Sequence, residues 1–425
     1  YHNDDYTLYS VKDTDFIGET GIKLNDTLDS IVIGVLTRDD TLHAVNVSDA
    51  TPRIFILTEE TGTYYAQRDL EITGAGNITV TGYDDTNSNS VLEMNQKSGF
   101  ILEKESNLTV QNMTIQNAYS DNGSLFNIRG IRSILLLDNL ILQNNISSNN
   151  GGVIYAENDS VVEKIQATFI NNNAENNGGA IYSGGRAIFR EITDSEFNSN
   201  TAKSGGAIYL ESDGTGTSST FITNLYANFY NNTANLSGGA ISNTTNSIGT
   251  PTSQATITNL EGEFINNKVD RDSNSSIYGG AIYNTGVITN LTSTFTNNRL
   301  TNSKTNGFGY GGAIYNSGRI ERIISDFSDN YITADNAYGG AIYNSGSILT
   351  VSGSFINNSA NGTNALGGAI YTTSNIVFYA DNESYEISGN TANGQNQGIY
   401  IDGNGVAITI QVENNGIYDI HDNIS

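Results

Sequence analysis

Ahead of each of seven phenylalanines the chain alternates between two faces. Four positions before the ring stands Ile165, Leu225, Leu260, Leu291, Ile323 or Val351, and two before it Ala167, Ser195, Ala227, Gly262, Ser293, Ser325 or Gly353. The residues between are mostly Thr, Asn, Asp, Glu or Gln. A period of two marks a half-buried β-strand, and the apolar face it defines reads aliphatic, small, aromatic. Only the Phe197 repeat is offset, with Ile192 one place early. Five residues after each ring comes Ala174, Ala202, Ala234, Val269, Leu300, Ile332 or Ala360, which continues the inward face past a turn.

These strands belong to a repeat. Gly-Gly-Ala-Ile occurs seven times, starting at Gly178, Gly205, Gly238, Gly279, Gly311, Gly339 and Gly367, after a variant at Gly151-Gly152-Val153-Ile154. Between the copies falls Phe-x-x-Asn, with Phe169, Phe197, Phe229, Phe264, Phe295, Phe327 and Phe355 answered by Asn172, Asn200, Asn232, Asn267, Asn298, Asn330 and Asn358. The two motifs alternate without exception. A unit of 27 residues (Gly178 to Gly205) to 41 (Gly238 to Gly279), with Gly-rich turns and no helical periodicity, cannot bury its apolar face alone and must stack. Stacking coils at about 4.8 Å sets like residues over like. This predicts a Phe ladder inside and an Asn ladder at a turn, its amides bonding from coil to coil. The same Asn is expected to supply the left-handed backbone of that turn, and the Gly pair a corner that a Cβ would obstruct. The fold class expected is all-β, a right-handed parallel β-helix, its hand following from the rule for parallel crossovers.

The regular repeats run from about 150 to 400 within a β-helix expected over 70–425, the coils before 150 being less regular. Residues 1–69, with Pro52 and strand-like runs at Ile31 to Leu36 and Arg53 to Leu57, are expected to form an N-terminal β cap or pairing element. Residue 1 is Tyr with no leader after it, and no capping helix closes the chain at Ser425, so a fragment of a longer protein is expected.

The alternation of Phe-x-x-Asn with Gly-Gly-Ala-Ile resembles the paired signature of the polymorphic outer-membrane proteins, an autotransporter family. The resemblance covers about two thirds of the chain. It implies a β-helical passenger displayed on or shed from the outer membrane, an extracellular or cell-surface location, and a part in adhesion. The chain departs from the family in lacking a signal peptide and a C-terminal barrel, which bears on the secretion route more than on the fold.

Composition narrows the reading. With 45 Gly, 2 Pro and only 37% hydrophobic residues, the chain suits a narrow elongated core. A net charge of -26, spread without blocks, disfavours nucleic acid and anionic lipid as partners and keeps a long β-protein dispersed. There is no cysteine, hence no disulfide and no Cys-ligated metal. The most apolar run, Ile128 to Leu142, is broken by Arg129, Arg132, Asp138 and Asn139, so no direct membrane insertion of this segment is expected.

Candidate chemistry is sparse. Two acid pairs, Asp194 with Glu196 and Glu261 with Glu263, lie two coils and about 10 Å apart, the one arrangement that would suit a polysaccharide lyase or hydrolase. No Lys or Arg accompanies them, and Tyr226 and Asn228 intervene. The histidines, His2, His43 and His421, are far apart in sequence. No catalytic residue, metal site or cofactor is therefore expected. A contact surface is a better candidate. The interval from Phe to the next Gly-Gly grows from 9 residues at Phe169 to 15 at Phe264 and 16 at Phe295, so stacked insertions should form a loop patch with Tyr278, Phe308, Tyr310 and Tyr338 at its tips. The Tyr after Gly-Gly-Ala-Ile (Tyr182, Tyr209, Tyr283, Tyr315, Tyr343 and Tyr371) should form an outward, exposed column. The function expected is a non-enzymatic surface protein, an adhesin or stalk whose partner is a protein or glycan. The alternative is a fibre subunit that associates end to end, with a polysaccharide-degrading enzyme behind both.

Overall fold

The structure, a computed structural model, describes residues 78–425 apart from 83–89, Lys104, 214–218, 247–252 and Ser273, together with the backbone of the strands before residue 78. The cap expected over 1–69 falls mostly outside the described residues. Of the backbone described there, Arg53–Leu57 runs parallel both to Ile31–Leu36 and to Asn77–Thr81.

Each coil contributes a long strand, a short one after the Asn turn, and a third after the Gly-Gly corner. The long strands, such as Val161–Ile170, Thr256–Ile265 and Val287–Thr296, stack in parallel to make one sheet. The strands that follow Gly-Gly-Ala form a second, of twelve strands from Leu70–Ile72 to Ile399–Ile401. Short strands after the turn, from Tyr119–Asn122 onwards, make the third. Sequential strands of each sheet come from successive coils, so the chain winds as a right-handed parallel β-helix, and among the described residues there is no helix.

Register places like over like. Phe169, Phe197, Phe229, Phe264, Phe295, Phe327 and Phe355 pair in one column. All seven are fully buried. Their rings lie 4.6 to 5.0 Å apart and within 12° of parallel, the offset stacking that suits the charge distribution of aromatic rings. The column continues upstream as Leu142, Ile115 and Leu92, and downstream as Ile387. On the opposite wall Ile181, Ile208, Ile241, Ile282, Ile314, Ile342, Ile370 and Ile399 form a second buried column.

The offset at Ile192 has a local cause. Ile192 still pairs with Ile165, and Phe197 with Phe169, so the long strand Ile188–Asn198 carries one residue too many between them. Asp194 absorbs it in a β-bulge with φ of 47°, and Ser195 re-enters register opposite Ala227.

Candidate functional site

The Asn turn builds everything beside it. Asn200 Nδ2 donates to Asn232 Oδ1 at 3.0 Å and to the Phe169 carbonyl at 3.0 Å, while its backbone N–H donates to the same Asn232 Oδ1. Equivalent bonds join Asn172, Asn232, Asn267, Asn298, Asn330 and Asn358 to their successors. The ladder is longer than the Phe-x-x-Asn motif. Asn145 precedes it, and Asn358 donates to Asn390, which donates in turn to Asp422. Leu142-Gln143-Asn144-Asn145 and Ile387-Ser388-Gly389-Asn390 carry the same spacing with an aliphatic residue for the ring. The left-handed residue, however, is the one before the ladder Asn. Asn171, Ser199, Asn231, Asn266, Asn297, Asp329 and Asn357 all have φ between 53° and 59°. The expectation that one Asn does both tasks is corrected: the tasks fall on adjacent residues, and none of the seven ladder asparagines of the motif has a positive φ.

At the other corner the two glycines do different work. Gly279 has φ of 58°, and a Cβ on Gly280 would lie 2.0 Å from the Gly312 carbonyl oxygen of the next coil. The first glycine supplies the left-handed turn and the second allows coils to touch backbone to backbone.

The insertions are not loops. Ile277–Tyr278, Phe308–Tyr310, Asn336–Tyr338 and Asn364–Leu366 pair in parallel as a small added sheet. Beneath it lies a second hydrophobic core, separate from that of the solenoid, made of Ala234, Val269, Ile277, Leu300, Ile332, Ala334, Ala337 and Ala360. From Phe229 on, the residue five after the Phe (Ala234, Val269, Leu300, Ile332, Ala360) belongs to this added core and not to the main one. It is large, Val269, Leu300 or Ile332, in the three middle repeats of the insertion region, and Ala at both margins, Ala234 and Ala360, as it is at Ala174 and Ala202 outside that core.

This sheet also changes the surface expected for tyrosine. Tyr278, Tyr310 and Tyr338 stack along the axis at 5.5 Å, and their row abuts the column Tyr283, Tyr315, Tyr343 and Tyr371. The rows mesh edge to face, Tyr278 on Tyr315 at 4.8 Å and Tyr310 on Tyr343 at 4.9 Å. Tyr182, Tyr209 and Tyr371 are buried, at 7%, 9% and 8% exposure, and Tyr283, Tyr315 and Tyr343 are half-buried, which corrects the exposed column. Burial, then the neighbouring Tyr343 and Tyr278, push the Tyr310 hydroxyl up to about 12. Of the four proposed tips only Phe308 is exposed, and its ring lies 6.3 Å from that of Tyr310.

Three stretches, 139–157, 166–184 and 194–211, match the Chlamydia polymorphic membrane protein (Chlamydia_PMP) repeat. In these stretches the chain is similar to the polymorphic membrane protein repeat. They cover the Asn145, Asn172 and Asn200 turns' own coils, where the Phe and Asn columns begin. No curated protein and no solved structure matches the chain.

The acids sit on the outer side of the long strands. Asp194, Glu196 and Glu261 line an open concavity of about 740 Å³ with Tyr226 and Asn228 between them, and no Lys or Arg lines it among the described residues. Glu196 accepts a bond from Asn198 at 3.0 Å, and Glu263 one from Tyr230 at 2.6 Å. The carboxylates are thus held by neighbours of their own face, with no charged donor aimed across the gap. No group of three or more His, Asp or Glu that could hold a metal ion occurs among the described residues. His421 lies 3.1 Å from Asp419, and the side chains of His2 and His43 are outside the described residues.

Proposed function

We propose that this chain is a surface-displayed bacterial β-helix, a rigid non-enzymatic rod that carries a contact surface away from its anchor. The observation that supports it best is the pairing of the Chlamydia polymorphic membrane protein repeat with an unbroken internal ladder. A solenoid that satisfies its polar turns by coil-to-coil bonds keeps its shape over many repeats without disulfides, a useful property for display outside the cell. In this reading the contact surface is the added sheet. Its outer face presents Phe308 and, behind it, the tyrosine seam, with Asn336 and Asn364 aligned beside Phe308.

Protease treatment of intact cells of the source organism tests display. Expected is loss of full-length protein without loss of a cytosolic control. Protection in intact cells, with digestion only after lysis, would overturn the reading.

A further inference from the structure

The tyrosine column starts abruptly. Tyr155 stacks on Tyr182 at 4.9 Å, but the two preceding places in the register belong to Asn127 and Ile101. Shorter side chains stand where further rings would lie, and the space left is a cavity of about 420 Å³ against Tyr155. That is within the roughly 300–1,000 Å³ of small-ligand sites.

Its polar rim is fixed in place. Arg129 Nε donates to Asn127 Oδ1 at 3.1 Å, and Asn127 Nδ2 donates to the Asn122 carbonyl at 2.8 Å, so the terminal guanidinium nitrogens project free of any ion pair among the described residues. Asp121, whose Oδ1 accepts from Ser148 at 2.8 Å, is among the residues that line the cavity. Glu157 lines the same cavity beside Tyr155. One aromatic face, one cationic donor and carboxylate acceptors around a space of this size suit a flat polyhydroxylated ring. Its C–H face lies on the aromatic face, and its hydroxyls both donate and accept.

We propose that this cavity binds a single neutral pyranose unit of a glycan, stacked on Tyr155. Arg129 donates to ring hydroxyls, and Asp121 accepts from them. Neutral sugars are favoured because Asp121 and Glu157 flank Arg129 and the whole chain carries a net charge of -26. The site goes beyond surface display and stands on the cavity alone.

The test is saturation-transfer NMR and calorimetry on the full chain with the methyl pyranosides of glucose, galactose and N-acetylglucosamine, and with glucuronate. Expected is saturable millimolar binding of at least one neutral sugar, weakened tenfold or more by Arg129→Ala. Tyr155→Phe should retain binding because the face remains. Asn127→Tyr is the decisive variant: it places the column's next ring in the cavity, so binding should vanish while thermal stability is kept. Absence of saturable binding by every neutral sugar, or undiminished binding by Asn127→Tyr, would overturn the proposal. Glucuronate binding as tight as the neutral sugars would overturn the assigned class.

Discussion

The ring of Tyr310 meets that of Tyr343 edge-on at 4.9 Å, although the two residues lie in different sheets and different coils. This contact ties the added sheet to the solenoid wall. Tyr310 also stacks between Tyr278 and Tyr338, each 5.5 Å away. Tyr310→Ala should therefore free the added strands while the solenoid stays intact, since aromatic pairs contribute about 0.5–1.5 kcal/mol each beyond their area. Hydrogen exchange should speed at Phe308–Tyr310 and not at Ile314–Asn316. Equal exchange in parent and variant would mean that the small core alone holds the sheet.

Phe295 lies between Phe264 at 4.7 Å and Phe327 at 4.8 Å, fully buried. Phe295→Ala should cost roughly 3–5 kcal/mol. Because each coil touches only its neighbours, the loss should show as a local weak point. Limited proteolysis is expected to cut near residues 290–300 and leave two resistant fragments. A variant as resistant as the parent would contradict the internal column.

Neighbouring asparagines should differ sharply. Asn298→Ala removes the acceptor of Asn267 N–H and amide and the donor to the Phe264 carbonyl, all buried. At about 1–3 kcal/mol for each of the three orphaned groups the loss is roughly 3–9 kcal/mol. Asn297→Ala should cost only about 1–2 kcal/mol, the strain of a Cβ in the left-handed region, because φ there is 53°. Asn297→Gly relieves that strain and loses only the part-buried amide bond to Asn266 Oδ1, a cost of about 0.5–1.5 kcal/mol. Thermal melts of the three variants rank them, and an equal loss at both positions would dissolve the distinction.

Alkaline pH should unlock the tyrosines. Burial, with the nearby Glu211 adding to it, raises Tyr209 to about 12, and burial with neighbouring phenols raises Tyr310 equally. An unfolded tyrosine titrates near 10. A phenol whose folded value is raised gives stability that is fully present below about pH 10 and is lost as pH climbs towards 12, because there the folded state binds more protons. Tyrosinate absorbance and circular dichroism should change together above pH 10. Tyrosine titrating fully near 10 with the fold unchanged would contradict the burial.

How far the sequence reveals the structure depends on whether neighbours or distant segments set each feature. The Phe and Asn columns and the Gly-Gly corner are legible because stacking demands the same residue type at each level. The bulge shows as the misplaced Ile192, though only the register reveals that Asp194 absorbs it. The left-handed turn residue escapes notice because Asn, Ser and Asp share the place. The exposure of the tyrosine column is misread for two reasons: stacking of ring on ring already buries Tyr182 and Tyr209, and the row from Tyr278 to Tyr338 that packs on Tyr315 and Tyr343 comes from insertions that look like loops. The start of that column at Tyr155 is visible once Asn127 and Ile101 are aligned with it, and that alignment needs the register of coils that lack the Gly-Gly-Ala-Ile corner.

The Asn ladder has a sense of direction. Every link from Asn145 to Asn390 donates its amide towards the higher-numbered coil, and Asn390 passes two bonds to Asp422 Oδ2 at 2.9 and 2.7 Å. A partly folded rod consequently has unlike ends. The leading end offers an N–H and an amide that await an oxygen, whereas the trailing end offers an oxygen that awaits donors. Each finished coil is then a template for the one synthesised after it, and a chain that emerges with its N-terminal coils first can fold in the order in which it appears, one rung at a time.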